Sequence, residues 1–155
     1  MVKARIFQSL LLFICVGLIL LLYSSFGGKI IASLGASGFI LFVAPHANVS
    51  RARNLVGGYF CGAITGILSN LLYGQASELS FFGADYALVL ICAAAPALAM
   101  FLMTTVNMMH PPAAAFALGL SVEPEAIETA IAAMIGIGLL CLTRFMLKKY
   151  LRDLA

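Results

Sequence analysis

Four long apolar runs, residues 6–23, 55–73, 86–109 and 126–146, decide what this sequence can become. They hold 18, 19, 24 and 21 residues, and at about 1.5 Å of rise per residue each reaches across a hydrocarbon core roughly 30 Å thick. Lipid offers no hydrogen bonds to a backbone, so segments of this kind cross as helices. The composition agrees: the 155 residues are 63% hydrophobic and 10% charged, with a mean hydropathy of +1.10, whereas a soluble domain carries about 25% charged residues. A soluble enzyme is excluded. The net charge of +3 is scattered between the apolar runs and forms no basic face, so no nucleic-acid partner is expected.

Lys3 and Arg5 precede the first run as in a secretory signal, but the run exceeds a typical signal core, and residues 23–28 contain no Ala-x-Ala cleavage pattern. It is read as a retained first helix. No Arg- and Ser-rich transit peptide precedes it, which makes a bacterial inner membrane the expected location. Cys15, Cys61, Cys92 and Cys141 fall one to a run without a C-x-x-C pair. They are expected to pack as small side chains, with no disulfide framework and no metal or cofactor.

Two shorter apolar runs remain, 30–44 with 15 residues and 111–122 with 12. Basic residues mark cytoplasmic loops. Lys3 and Arg5, then Arg51 and Arg53, then Arg144, Lys148, Lys149 and Arg152 place both termini and the 46–54 loop inside, while Glu78 with Asp85 and Glu123 with Glu125 place two loops outside. Six passages satisfy this pattern, with both short runs crossing and Lys29 outside against the rule. The chain then reads as one membrane domain, 1–155, in two inverted halves of about 1–75 and 84–150, each long, short, long. Paired short segments interrupted by Gly or Pro mark inverted-repeat transporters, and here they are Gly35-Ala36-Ser37-Gly38 and Pro111-Pro112-Ala113-Ala114-Ala115. Four helices with two interfacial loops would produce the same hydropathy and stand as the alternative.

Candidate chemistry gathers on those segments. His110 precedes two prolines, which suit the first turn of a helix, and a helix start offers free N–H groups to an anion. A histidine that merely caps the break is the competing reading. Ser33, Gly35 and Ser37 would let a solute approach and supply hydroxyl donors, unless they only pack helices. Thr104, Thr105 and Asn107 add polar groups before His110, with bonding to their own helix as the alternative. Arg51 and Arg53 would attract anions at the cytoplasmic mouth, with Arg53 and Asn54 anchoring to lipid headgroups as the alternative. Gly58, Gly62 and Gly66 form a G-x-x-x-G-x-x-x-G stripe for close helix packing, within one protomer or between protomers of a homo-oligomer. Met100, Met103, Met108 and Met109 make Cu(I) a minor alternative. No catalytic motif or acid-base dyad can be assembled, so no enzyme activity is expected.

At these motifs the chain resembles the HPP family of integral membrane proteins, named for the triplet found here at His110 to Pro112. Gly35-Ala36-Ser37, Phe39 to Phe42, Ala52-Arg53-Asn54 and Gly57-Gly58 are similar to the family's first-half pattern, and His110 to Leu118 to its second. The chain departs at Ala52, Tyr59 and Ala114, where the family pattern has Pro, a second His and Gly. The resemblance implies small-anion transport, with nitrite as the described substrate of plastid and cyanobacterial members. The expectation is an all-α polytopic transporter or channel comprising the membrane region alone. It would have four long helices and two short or broken segments, and bind a nitrite-like anion near the midplane between Gly35–Ser37 and His110–Pro112, with Ala113, Asn107 and Thr104 nearby. The alternative from another class is a structural or regulatory membrane subunit that passes no solute.

Overall fold

The computed structural model describes residues 2–24, 32–78 and 84–154, and the position assigned to Lys29 lies outside them. The described residues form six α-helices and no strand: α1 (Val2–Ser24), α2 (Ala32–Val43), α3 (Ala52–Glu78), α4 (Ala84–Thr105), α5 (Pro112–Ser121) and α6 (Ala126–Leu147), with a 3₁₀ turn at Asn48–Ser50. Helices α1, α3, α4 and α6 contain the four stretches long and apolar enough to cross a membrane. Large apolar side chains such as Phe13, Leu90, Phe101 and Phe145 are exposed on them. A soluble monomer rarely carries that much apolar surface, whereas lipid tails accommodate it.

Side-chain bonds group the chain ends. The Gln8 amide, buried on α1, donates to the carbonyls of Phe42 and Arg152 and accepts the Arg152 N–H. Arg144 donates to the Pro45 carbonyl at 2.6 Å, and Asp153 accepts from the His46 N–H at 3.1 Å. The start of α1, the end of α2, the start of α3 and the end of α6 therefore share one end with Lys3, Arg5, Arg51 and Arg53. At the other end, the Asn70 amide of α3 donates to the carbonyls of Ser121 and Glu123. Helix α5 thus runs from the arginine-bearing end toward the acidic 121–125 loop. The two short segments are packed among the long helices and are not interfacial loops. They are also not broken: α2 runs unbroken through Gly35 to Gly38, and α5 starts cleanly at its prolines.

Exchanging α1 with α4, α2 with α5 and α3 with α6 reproduces most helix pairings. The α3–α5 contact has its mate in α6–α2, α3–α4 in α6–α1, and α1–α2 in α4–α5, while α3–α6 and α2–α5 are their own mates. Two inverted three-helix halves would make such a pattern. The halves are unequal, with α3 gripping α5 far more closely than α6 grips α2. That closeness comes from the glycine stripe.

Candidate functional site

The stripe positions everything that follows. A Cβ at Gly58 would stand 2.6 Å from the His110 Cβ, one at Gly62 2.5 Å from the Ala113 carbonyl oxygen, and one at Gly66 2.8 Å from the Ala117 carbonyl oxygen. Missing side chains let α5 lie directly on the α3 backbone, the close approach that small residues permit. Of the two roles open to the stripe, the one inside the protomer is what forms, so it supplies no contact between protomers.

The chain turns onto this track at Asn107, whose φ of 53° is left-handed. The Met108 N–H bonds the Met103 carbonyl at 2.9 Å and the Asn107 N–H the Thr104 carbonyl at 3.2 Å, the paired bonds of a Schellman ending. Asn107 is exposed and ends α4. Thr104 and Thr105 bond back to carbonyls of their own helix. The hydrogen bonds of His110 go instead to Ser37 and Val49. Asn107→Gly is therefore expected to leave thermal stability unchanged or higher, and Asn107→Val to lower it by about 1–2 kcal/mol, the cost of a left-handed residue with a branched side chain. Equal unfolding midpoints for the two variants would contradict this assignment.

His110 is fully buried in the connection between α4 and α5. Its Nε2 lies 2.8 Å from the Ser37 Oγ of α2, and its Nδ1 lies 3.0 Å from the Val49 carbonyl. The Ser37 Oγ is in turn 2.9 Å from the Tyr59 hydroxyl of α3. The Tyr59 ring stands 5.8 Å from the His110 ring and 5.0 Å from that of Phe116 on α5. A carbonyl only accepts, so Nδ1 carries a proton. In the neutral ring Nε2 then accepts from Ser37, and Ser37, its one proton spent, accepts from Tyr59. Burial holds the imidazole below its ordinary 6.5, with the bond to Val49 pulling the other way. Neutral histidine is the resting form. One turn before Ser37, the Ser33 hydroxyl is buried with no partner, close to the Tyr59 hydroxyl but outside hydrogen-bonding geometry.

Two expected features of the site are not built. Pro111 and Pro112 have no N–H, and those of Ala113 and Ala114 already bond the carbonyls of His110 and Pro111 at 2.9 and 3.0 Å, so the start of α5 offers no spare donor to an anion. Gly35 faces away from the cluster into open space, while Gly38, one turn further along, packs α2 on Leu12 of α1. The cluster also sits off-centre. His110 is level with Gly58, six residues into α3, which is roughly 10 Å short of that helix's middle toward the arginine end. Arg51 and Arg53 are exposed at the start of α3. An open groove of about 580 Å³ lies between α4 and α5, lined by Met100, Met103, Met109, Pro96 and Pro111 with His110 at its floor. Met108 is separate, packed on Gly57.

Sequence reasoning missed Tyr59 as a bonding partner and Gln8 as a clasp. Gln8 is a polar residue inside the first apolar run, a signal available from sequence. Tyr59 follows a stripe glycine directly, which places it beside whatever the stripe holds.

The family described as "HPP, transmembrane region" matches residues 2–151. A curated transmembrane protein of Dictyostelium discoideum is 33% identical over 89 residues, which make up 57% of this chain and 28% of that protein, so the chain spans much less than two thirds of its relative. No solved structure matches. With nearly the whole chain covered by that one transmembrane region, and its His-Pro-Pro triplet set at the meeting of the two short helices, the chain belongs to the HPP family of membrane proteins.

Proposed function

We propose that this protein passes a small monovalent anion, nitrite or one like it, across a bacterial inner membrane at the place where α2 and α5 meet. The observation that carries the reading is the 2.8 Å contact between Ser37 and His110, which joins the two short helices, one from each half, through buried polar groups in an apolar bundle. Polar groups cost free energy at membrane depth and mark solute pathways there. The donors that would meet the anion are the hydroxyls of Ser33 and Tyr59, with Ser37 linking Tyr59 to His110. Weak neutral donors suit an ion that must leave as readily as it enters. Arg51 and Arg53 would raise the anion concentration at the cytoplasmic mouth, and the grouping of basic residues at one end supports a cytoplasmic position for both termini.

Nitrite entry into proteoliposomes tests this, with protein-free vesicles subtracted at every pH because nitrous acid crosses lipid unaided. Wild-type protein is expected to admit nitrite above that background. Ser37→Ala, which removes the hydroxyl between the two halves, is expected to slow entry about tenfold, the kinetic equivalent of one buried hydrogen bond. Entry equal to background would leave the subunit role as the better account.

A further inference from the structure

We propose that the Tyr59–Ser37–His110 chain binds one proton with each anion, so that transport is electroneutral and confined to monovalent anions. The inference rests on the anion-transport reading above. It starts from the direction of the hydrogen bonds at rest. Tyr59 donates to Ser37, Ser37 to His110 Nε2, and His110 Nδ1–H to the Val49 carbonyl, so every proton in the chain is in use and none is offered to a solute.

Adding a proton to Nε2 reverses the chain. The new N–H donates to the Ser37 oxygen, the Ser37 hydroxyl proton turns to the Tyr59 oxygen, and the Tyr59 hydroxyl proton is left pointing outward. One N–H bond forms, two O–H groups rotate, and no other covalent bond changes. The freed Tyr59 proton lies beside the Ser33 hydroxyl, which is buried and unpartnered. Together they make a pair of donors that exists only while His110 is charged. The imidazolium's single positive charge then balances a single negative one. A divalent anion would leave one charge uncompensated in a buried site that offers it no water.

Among the described residues, no other group facing the ring can play that part. Ser33 and Ser37 face the cluster from α2, Tyr59 from α3, the Val49 carbonyl from the 44–51 connection, Met103 from α4 and Phe116 from α5. Tyr59 is the titratable side chain among them. Arg51 and Arg53 are exposed at the start of α3.

The test uses the full chain in proteoliposomes with a pH-sensitive dye inside, potassium nitrite as the probe, and valinomycin with potassium to set the membrane potential. Protein-dependent nitrite entry is expected to acidify the lumen by one proton per anion and to keep its rate whether the potential is zero, inside-negative or inside-positive. Sulfate is expected not to enter. His110→Gln should lose the acidification, since glutamine cannot take up the proton. Tyr59→Phe keeps the ring contacts with His110 and Phe116 but has no proton to free, so it should still fold, at a slightly lower unfolding midpoint for the lost bond to Ser37, and lower coupled entry about tenfold. Nitrite entry that carries no proton and speeds up at inside-positive potential would overturn the relay and leave anion transport standing. Absence of any protein-dependent nitrite entry would remove the transport reading, and the relay with it.

Discussion

Gly62→Leu is expected to yield almost no folded protein, seen as loss of the monodisperse peak in detergent. A Cβ at Gly62 would meet the Ala113 carbonyl oxygen at 2.5 Å and its carbon at 3.3 Å. A side-chain tip could rotate away, but these are backbone atoms, so α5 would have to lift off α3. His110 is three residues upstream on the same track and would be carried away from Ser37. Overpacking that only crowds side chains costs about 1–3 kcal/mol, and moving a helix costs more. Gly62→Ala should shift the unfolding midpoint the same way by less. Gly35→Ala serves as the control: nothing stands within 4 Å of its Cβ position, and alanine is favoured over glycine in a helix by about 1 kcal/mol. It should unfold at the same temperature or higher. The opposite order for the two alanine variants would refute the packing described for α3 and α5.

His110→Ala is expected to lower stability by about 3–5 kcal/mol. It leaves a cavity where the ring was, and it leaves the Val49 carbonyl and the Ser37 hydroxyl buried without a partner, each at about 1–3 kcal/mol before relaxation. The pH dependence separates this ring from any other buried group. Burial keeps the folded imidazole below its ordinary 6.5, so below that value the unfolded chain binds the proton first. Stability contributed by neutral His110 is therefore fully present above pH 6.5 and is lost as the pH falls from there toward the depressed folded value. His110→Gln should flatten this decline. Nitrite should also reduce it in the wild type, because an anion that binds with a proton favours the protonated folded form by the same coupling. A wild-type decline that survives His110→Gln would assign the titration to another residue.

The long helices were legible because length and hydropathy alone settle them, and the basic residues foretold which ends lie together. The His-Pro-Pro triplet and the Ser37 segment were legible as places where an apolar pattern breaks. Their hydrogen bond was not, because a contact across 73 positions in the chain leaves no trace in local spacing. The proline start of α5 was read correctly as a helix start and wrongly as a donor site, since the 3₁₀-type bonds from Ala113 and Ala114 that consume its N–H groups depend on the backbone path. Gly35 shows the same gap. Small residues announce that something comes close to a helix, but the face they present depends on the neighbours, and in α2 it is Gly38 that packs closely while Gly35 stands open. The stripe on α3 was specific enough to predict tight packing, yet its partner, the α4–α5 connection with α5, was set by the turn at Asn107.

A small anion held between α2 and α5 would shield position 33, where a buried hydroxyl stands without a partner. In a background lacking the four native cysteines, Ser33→Cys can be modified with methyl methanethiosulfonate in proteoliposomes, in the presence of sodium nitrite or of sodium gluconate at the same concentration. The thiol is expected to react, and nitrite, but not the bulky gluconate, to slow the reaction several-fold, with stronger protection at lower pH. A thiol that never reacts, or one that reacts at the same rate in both salts, would place the anion elsewhere and contradict the account.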